Sequence, residues 1–581
     1  MISKWNYLPL TSEDQAIAER LAEKFPSCPA VARLLVLRGI RTDEEVRNFF
    51  YPSLHQLPDP FLMRDMDKAV ERLNQALGAK EKVMVYGDYD VDGTTAVALV
   101  YRYLQNFYSN LEYYIPTRDD DGYGISIQAI DYAASLGVKL IIVLDCGIKA
   151  VDEIAYAREK GIDFIVCDHH VPDDVLPPAV AILNPKLKDD HYPYKELSGC
   201  GVGYKFMQAF ARSNGINSMY ELDNSLDLLA VSIAADLVPL TGENRVLAFY
   251  GLRRLNNNPC TGLRSIIKIC GLHKRDITIS DIIFKIGPRI NASGRMQSGQ
   301  QSVALLVTKD PSEAYEITKT IEQFNQDRKE LDRQITDEAN AIIEKHKEEI
   351  GSKKTIVLYN RDWHMGIIGI VASRLAELYF RPSVVLTYSN DGIATGSSRS
   401  VRGFDIYSAI KANRDLLESF GGHTNAVGLS LKVENIPEFR RRLEEYVERR
   451  IQPEQVTPSI DIDCQIAFNE ITPEFMKQMK YFNPFGPENN KPVFVTRNCR
   501  DAGTSKLVGK KMDHIKLDVT DDTIPGRAMN AIAFSMPQNF NRIKDGEPFD
   551  IIYTLEESKH RNVSTVQLMV KGIKMHDEEW Q

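Results

Sequence analysis

Apolar positions along the chain change their spacing several times, and each change marks a unit. Residues 1–80 carry apolar residues three and four apart, as in "EDQAIAERLAEKF" and "MDKAVERLNQAL", which predicts helices. From residue 82 onward, short apolar runs ("KVMVYG", "LEYYI", "KLIIVL", "DFIVC", "AVAIL") alternate with amphipathic helical stretches. Apolar runs of this kind, separated by helices, predict a parallel sheet covered on both faces. A mostly helical stretch follows to about residue 310. A long charged segment over 311–350 then predicts one helix, its apolar stripe running through Ile317, Ile321, Phe324, Leu331, Ile335 and Ile342.

A second alternating unit spans about 351–452, with strands at "TIVLY", "SVVLT" and "AVGLSLKV" and helices at "GIIGIVASRLAEL" and "DIYSAIKANRDLLESF". Beyond it, many short strand-like runs ("PVFVT", "HIKLDV", "NAIAF", "FDIIYTL", "STVQLMV") predict a small β-barrel or sandwich over 453–581. The expected organisation is α/β: an N-terminal helical segment (1–80) packed on a parallel-sheet domain (81–310), a connecting helix (311–350), a smaller α/β domain (351–452) and a terminal barrel (453–581).

With 581 residues, 43% hydrophobic and 26% charged, the composition fits a soluble globular protein of several domains. No run approaches a membrane span and the first residues lack a secretion pattern, so a membrane role is not expected. Eight scattered cysteines without a CxxC pair predict reduced thiols in a cytoplasm. A net charge of −9 does not advertise nucleic-acid binding, although a basic groove can sit on an acidic protein.

The chemistry concentrates in "GDYDVDG", where a strand turns into a helix. A phosphate-binding loop offers N–H groups at such a junction; this one carries Asp88, Asp90 and Asp92. An EF-hand loop would need a glutamate at its twelfth position, and Leu99 stands there. Helix capping would use one aspartate, not three. A divalent-metal site gains weight because Asp145 follows the strand "KLIIVL", and Asp168, His169 and His170 follow "DFIVC". In open parallel sheets ligands bind beyond the carboxyl ends of the strands, so these groups aim into one crevice. Asp236, after the apolar helix of "LLAVSIAADLVPL", can reach the same place. Carboxylates with imidazole suit Mn2+ or Mg2+ better than zinc. Two such ions bridged by one carboxylate form the usual site of phosphoester hydrolysis.

The set "GDYDVDGTTA", "LDCG", "CDHH" and "IAADLVPL" resembles the four motifs of the DHH phosphoesterase family. "YIPTRDDDGYGIS", "KIGPRINASGRM", "WHMGIIGIVASRL", "GSSRSVRGFDIYSAI" and "FGGHTNAVGLSL" resemble its branch of single-stranded-DNA-specific exonucleases, nearly end to end. The resemblance implies a metal-bearing domain, a DHH-associated domain and an OB-type barrel that together form a channel for single-stranded DNA. It implies a 5′→3′ exonuclease of DNA repair and recombination that uses two Mn2+ or Mg2+ ions and releases 5′-mononucleotides. It assigns Asp88, Asp90 and Asp145 to one ion, and Asp92, Asp145, His169 and Asp236 to the other. His170 would contact the scissile phosphate, with Asp168 orienting a histidine. Arg118, Arg289, Ser397, Arg399 and His423 would grip a terminal 5′-phosphate. Lys506, Lys510, Lys511 and Lys516 of the barrel suit contacts to a single-stranded backbone, or equally a solvated hairpin. A helicase and a single-strand-binding protein are the implied accessory partners of a monomer. The alternatives are a family member acting on short oligonucleotides or cyclic dinucleotides, and a non-catalytic DNA-binding scaffold.

Overall fold

The computed structural model describes residues 4–117, 124–216, 222–560 and 563–578, with side chains undescribed over 558–564. Five strands, Leu111–Tyr114, Lys82–Gly87, Val138–Leu144, Asp163–Cys167 and Ala181–Leu183, form in that spatial order a wholly parallel sheet. Alternate residues enter different cores. Val83, Val85, Leu140, Ile142 and Leu144 pack on one face, and Met84, Tyr86, Ile141 and Val143 on the other. Burial on both faces is why these runs read as continuously apolar.

The second α/β domain has its own five-stranded sheet, ordered Leu417–His423, Ala426–Lys432, Ile393–Arg399, Ser383–Tyr388 and Ile356–Tyr359. Only the last pair is parallel. The stretch "DIYSAIKANRDLLESF" does not stay helical as its spacing predicts. The helix ends at Lys411, and Leu417–His423 becomes the outer strand. Its C-terminal half therefore owes its form to hydrogen bonding with the neighbouring strand rather than to local spacing.

The connecting helix, Pro311–Lys345, buries Ala314, Thr318, Ile321, Asn325, Asp332, Ile335, Ala339 and Ile343. This face is shifted from the expected stripe: Phe324 and Ile342 are only part-buried. Polar members of the buried face have partners: Asp332 pairs with Arg374 at 2.7 Å, and Arg328 donates to Asn325 at 3.1 Å.

In the C-terminal domain, strands Phe494–Asp501, Phe549–His560, Val563–Met575, Met529–Ala533 and His514–Thr520 pair in succession. The first and last also pair, closing the ring. The N-terminal segment does not pack wholly on the first domain. Residues 54–78 do, but Val31, Leu34, Leu35 and Phe50 share a core with Phe475, Phe482 and Phe494 of the barrel region. Lys4–Tyr7 pairs in parallel with Ser459–Ile462. Local periodicity identified these helices but could not tell which distant surface completes their core. The segment "FNPFGPEN" is the joint between first domain and barrel. Buried Arg245 donates to the carbonyls of Tyr481 (2.8 Å), Phe482 (3.1 Å) and Phe49 (3.0 Å).

Candidate metal centre

At the end of strand Lys82–Gly87 the chain turns through Asp88 into the helix Val91–Gln105. Gly93 is required there: a Cβ would lie 2.3 Å from the Asp88 carbonyl oxygen. Asp90 caps the helix by accepting from Gly93 N at 3.1 Å, which leaves carboxylate capacity for a ligand role. Asp92 is buried and accepts from Gly199 N (2.6 Å), Cys200 N (2.9 Å) and Ser232 Oγ (2.7 Å). The start of the helix Gly199–Ser213 thus fixes its orientation.

Asp145 leaves the strand Val138–Leu144 with φ +63°, a left-handed backbone unusual for a non-glycine residue. Strain of this kind often accompanies a functional site, and here it accompanies a carboxylate 3.1 Å from His169 Nε2. Asp92 and Asp236 approach the same nitrogen at 3.8 and 3.7 Å. The sequence places these groups in one crevice, and the structure assembles them there in three overlapping sets. Ligand atoms of Asp88, Asp90 and Asp145 lie within 4.8 Å of one another, as do those of Asp92, His169 and Asp236, and those of Asp145, His169 and His170. Asp145 and His169 join the sets.

Asp168 lies beneath them. Its Oδ1 accepts from the main chains of His169 (2.7 Å) and His170 (3.1 Å) and meets His170 Nδ1 at 2.7 Å, while Oδ2 accepts from Ile148 N. Burial opposes ionisation of Asp168, yet the neighbouring His170 charge and hydrogen bond outweigh it and lower its pKa. For His170, burial is outweighed by Asp168, and the imidazole is pushed up to about 9. Burial takes His169 the other way, to about 4, which keeps it neutral as a ligand must be. Asp90, Asp145 and Asp236 are all raised, first by burial and then by mutual repulsion with Asp92 and other acids. Such a group of carboxylates stays ionised together only with cations among them. Oxygen-rich donors with one imidazole fit Mn2+ or Mg2+.

The other expected site residues divide. His423, from the second domain, stacks on His170. Ser397 and Arg399 lie against the helix Met365–Tyr379, where a Cβ on Gly369 would be 3.1 Å from Ser397 Oγ and 3.3 Å from Arg399 Nη2. Arg399 also donates to Ser397 Oγ at 2.7 Å. Arg289 instead faces the connecting helix, paired with Glu322 at 2.5 Å. Arg118 lies outside the described residues. Arg295, six residues after Arg289 in the same motif, reaches the start of the helix Met365–Tyr379, one turn from Gly369: its Nη1 donates to Gly366 O at 2.9 Å. The neighbouring Gly294 sits so near the acidic loop that a Cβ would be 2.6 Å from Tyr89 O. Sequence reasoning passed over Arg295 because the motif holds two arginines and spacing does not choose between them.

Residues 82–233 match the DHH family N-terminal domain, 352–449 the DHHA1 domain and 462–572 the RecJ OB domain. The chain is 36% identical to the single-stranded-DNA-specific exonuclease RecJ of Bacillus subtilis, over 98% of this chain and 70% of that protein. The chain belongs to the RecJ family. The RecJ of Haemophilus influenzae is 32% identical, over 95% and 97% of the two chains. Among solved structures, RecJ of Thermus thermophilus in complex with Mn2+ shares the fold, with a TM-score of 0.82 over 98% of this chain and 79% of that one, at 24% identity. An exonuclease RecJ bound to manganese is 30% identical, with a TM-score of 0.57 over 70% and 98%. In this RecJ-family chain the three matched domains coincide with the two α/β units and the closed ring of strands.

Proposed function

We propose that this protein is a 5′→3′ exonuclease that hydrolyses single-stranded DNA to 5′-mononucleotides, using two Mn2+ or Mg2+ ions. The observation that carries the proposal is the convergence of Asp88, Asp90, Asp92, Asp145, His169 and Asp236 beneath the stacked His170–His423 pair. Relatives named as single-stranded-DNA-specific exonucleases, and RecJ structures holding manganese, support the substrate and the metal.

Asp88, Asp90 and Asp145 would hold one ion and Asp92, Asp145, His169 and Asp236 the other, Asp145 bridging. Ions held there would supply activation of a water and offset of the charge developing on the phosphate. The chain's own residues do the rest. Asp168 fixes the Nδ1 side of His170, so the imidazolium presents its other edge to the scissile phosphate and attracts its anionic oxygens. His423 closes over it from the second domain. Hydrolysis breaks the bond between phosphorus and the 3′ oxygen of the terminal nucleotide and leaves a new 5′-phosphate on the strand. One terminal pocket therefore serves every cycle. Ser397, Arg399 and Arg295 are the proposed pocket, because arginine forks match a phosphate.

The closed ring carries exposed Lys506, Lys510, Lys511 and Lys516, which support a track for the strand beyond the cut. Eight free thiols support a reducing cytoplasm. We take a helicase and a single-strand-binding protein as its accessory partners, on family resemblance alone. Digestion of 5′-labelled and 3′-labelled single strands, with and without Mn2+, tests the proposal. Label released first from the 5′ end as a mononucleotide, only with metal, is the expected result; release from the 3′ end or from the interior overturns it.

A further inference from the structure

Leu237 follows Asp236 at the end of the helix Leu226–Ala235. Its φ is +58°, the left-handed conformation that ends many helices and that glycine adopts without steric cost. A leucine there places its Cβ against the following carbonyl. Burial would compensate, but Leu237 is 54% exposed. Exposed leucines are ordinary by themselves; one that combines exposure with backbone strain beside a proposed ligand is not. Among the described residues, the apolar ones with left-handed backbone are Leu237, Phe380 and Met512. Phe380 also ends a helix, yet is part-buried; Met512 is as exposed as Leu237, but it sits in the turn between the strands Lys506–Val508 and His514–Thr520 of the C-terminal domain, not beside a proposed ligand. Asp236 reaches within 3.7 Å of His169 Nε2, so Leu237 stands at the rim of the crevice. Val171, 55% exposed, follows His170 in the same way.

The geometry points to Leu237 as a substrate-positioning residue, whose apolar side chain packs against the nucleobase next to the scissile phosphate. The inference rests on the nuclease reading, and goes further by assigning a nucleoside contact where only metal and phosphate contacts are otherwise proposed. It explains why glycine, the better choice for the backbone, is absent.

Leu237→Gly and Leu237→Asn both relieve the backbone and remove the apolar contact, since asparagine tolerates this conformation. Each is expected to melt at or above the wild-type temperature, to raise KM on single-stranded DNA by about fivefold, and to keep kcat near its wild-type value. Leu237→Met, which keeps an apolar chain, should restore KM. Strands with an abasic site at the first or the second nucleotide locate the contact. With one of them, wild type and Leu237→Gly should have the same KM. A lower melting temperature in both variants, an unchanged KM, or a KM difference that persists on both abasic strands overturns the inference. Inactivity of the wild-type protein on every strand would instead refute the nuclease reading, so the two failures are distinguishable.

Discussion

The imidazole of His170 stacks face to face on that of His423, with ring centroids 5.4 Å apart and planes 13° from parallel. One ring stands beyond the first domain's sheet and the other ends the outer strand of the second. Partial shielding from water within the stack, and then the nearby charges of His170, Lys149 and Lys186, keep His423 below its ordinary pKa although the residue stays largely exposed, whereas His170 is pushed up to about 9. At neutral pH a cationic ring therefore lies on a neutral one, a favourable arrangement akin to a cation over an aromatic face. The crevice is complete only when both domains are in place.

The first prediction concerns this pair. His423 is exposed, so His423→Ala should melt like wild type. It should lower single-turnover cleavage by roughly tenfold or more, because an aligned group over the reacting phosphate is lost. The loss should be the same for long and very short strands. His423→Phe should recover part of it if the stacked face matters. A loss confined to long strands would make His423 a track residue instead.

The second concerns Asp145. Asparagine keeps its shape and tolerates the left-handed backbone, so Asp145→Asn is a cleaner probe than alanine. Hydrolysis should be abolished. Metal-free, the variant should melt at or above wild type, because one of the mutually repelling buried carboxylates is gone. Wild type at one hundred times its metal Kd gains about 2.7 kcal/mol from binding. Asp145→Asn should gain little of this in a thermal-shift titration with Mn2+. A full metal-induced shift, or normal turnover, would rule out the bridging role.

The parallel sheet and the crevice were legible because each reactive residue directly follows an apolar run, and strand ends share one side of a parallel sheet. Asp236 was legible for the same local reason, at the end of an apolar helix. Relationships decided by distant partners were not. The helices around Val31 and Phe50 look alike whether they pack on the first domain or on the barrel. Asn325 and Asp332 lie off the apolar stripe expected of the connecting helix, and nothing local announces Arg328 and Arg374 as their partners. Arg289 and Arg295 sit in one motif yet face different elements.

That division gives the third prediction. Arg399→Ala and Arg295→Ala should impair cleavage of 5′-phosphorylated strands more than 5′-hydroxyl strands, by removing charge-assisted contacts to a dianion. Arg289→Ala and Glu322→Ala should each lose stability, by about 1–3 kcal/mol, because each strands a part-buried partner. The double mutant should lose less than the sum. If Arg289→Ala alone discriminates between the two strand ends at unchanged melting temperature, Arg289 belongs to the terminal pocket after all.

The fourth concerns the barrel, which truncation cannot test. A chain ending near Val456 would strip Val31, Leu34, Leu35 and Phe50 of the Phe475, Phe482 and Phe494 side chains that bury them. The N-terminal segment would lose its core along with the barrel. Point changes avoid this. Lys506 and Lys516 are directly opposite each other in the hairpin that runs from Lys506–Val508 into His514–Thr520, and both are exposed. Like charges at such a pair destabilise a hairpin, so their retention is explained if an anion lies across them. Lys506→Gln with Lys516→Gln should leave the melting temperature unchanged or slightly higher. Each phosphate neutralised on a single strand contributes roughly 0.7 to the log–log salt slope of binding, so losing both contacts should flatten it by about 1.4. Cleavage of a very short oligonucleotide at saturation should be unaffected, because the ligand sets and the proposed terminal pocket lie outside the barrel. An unchanged slope for long strands would return the lysines to the role of a solvated hairpin.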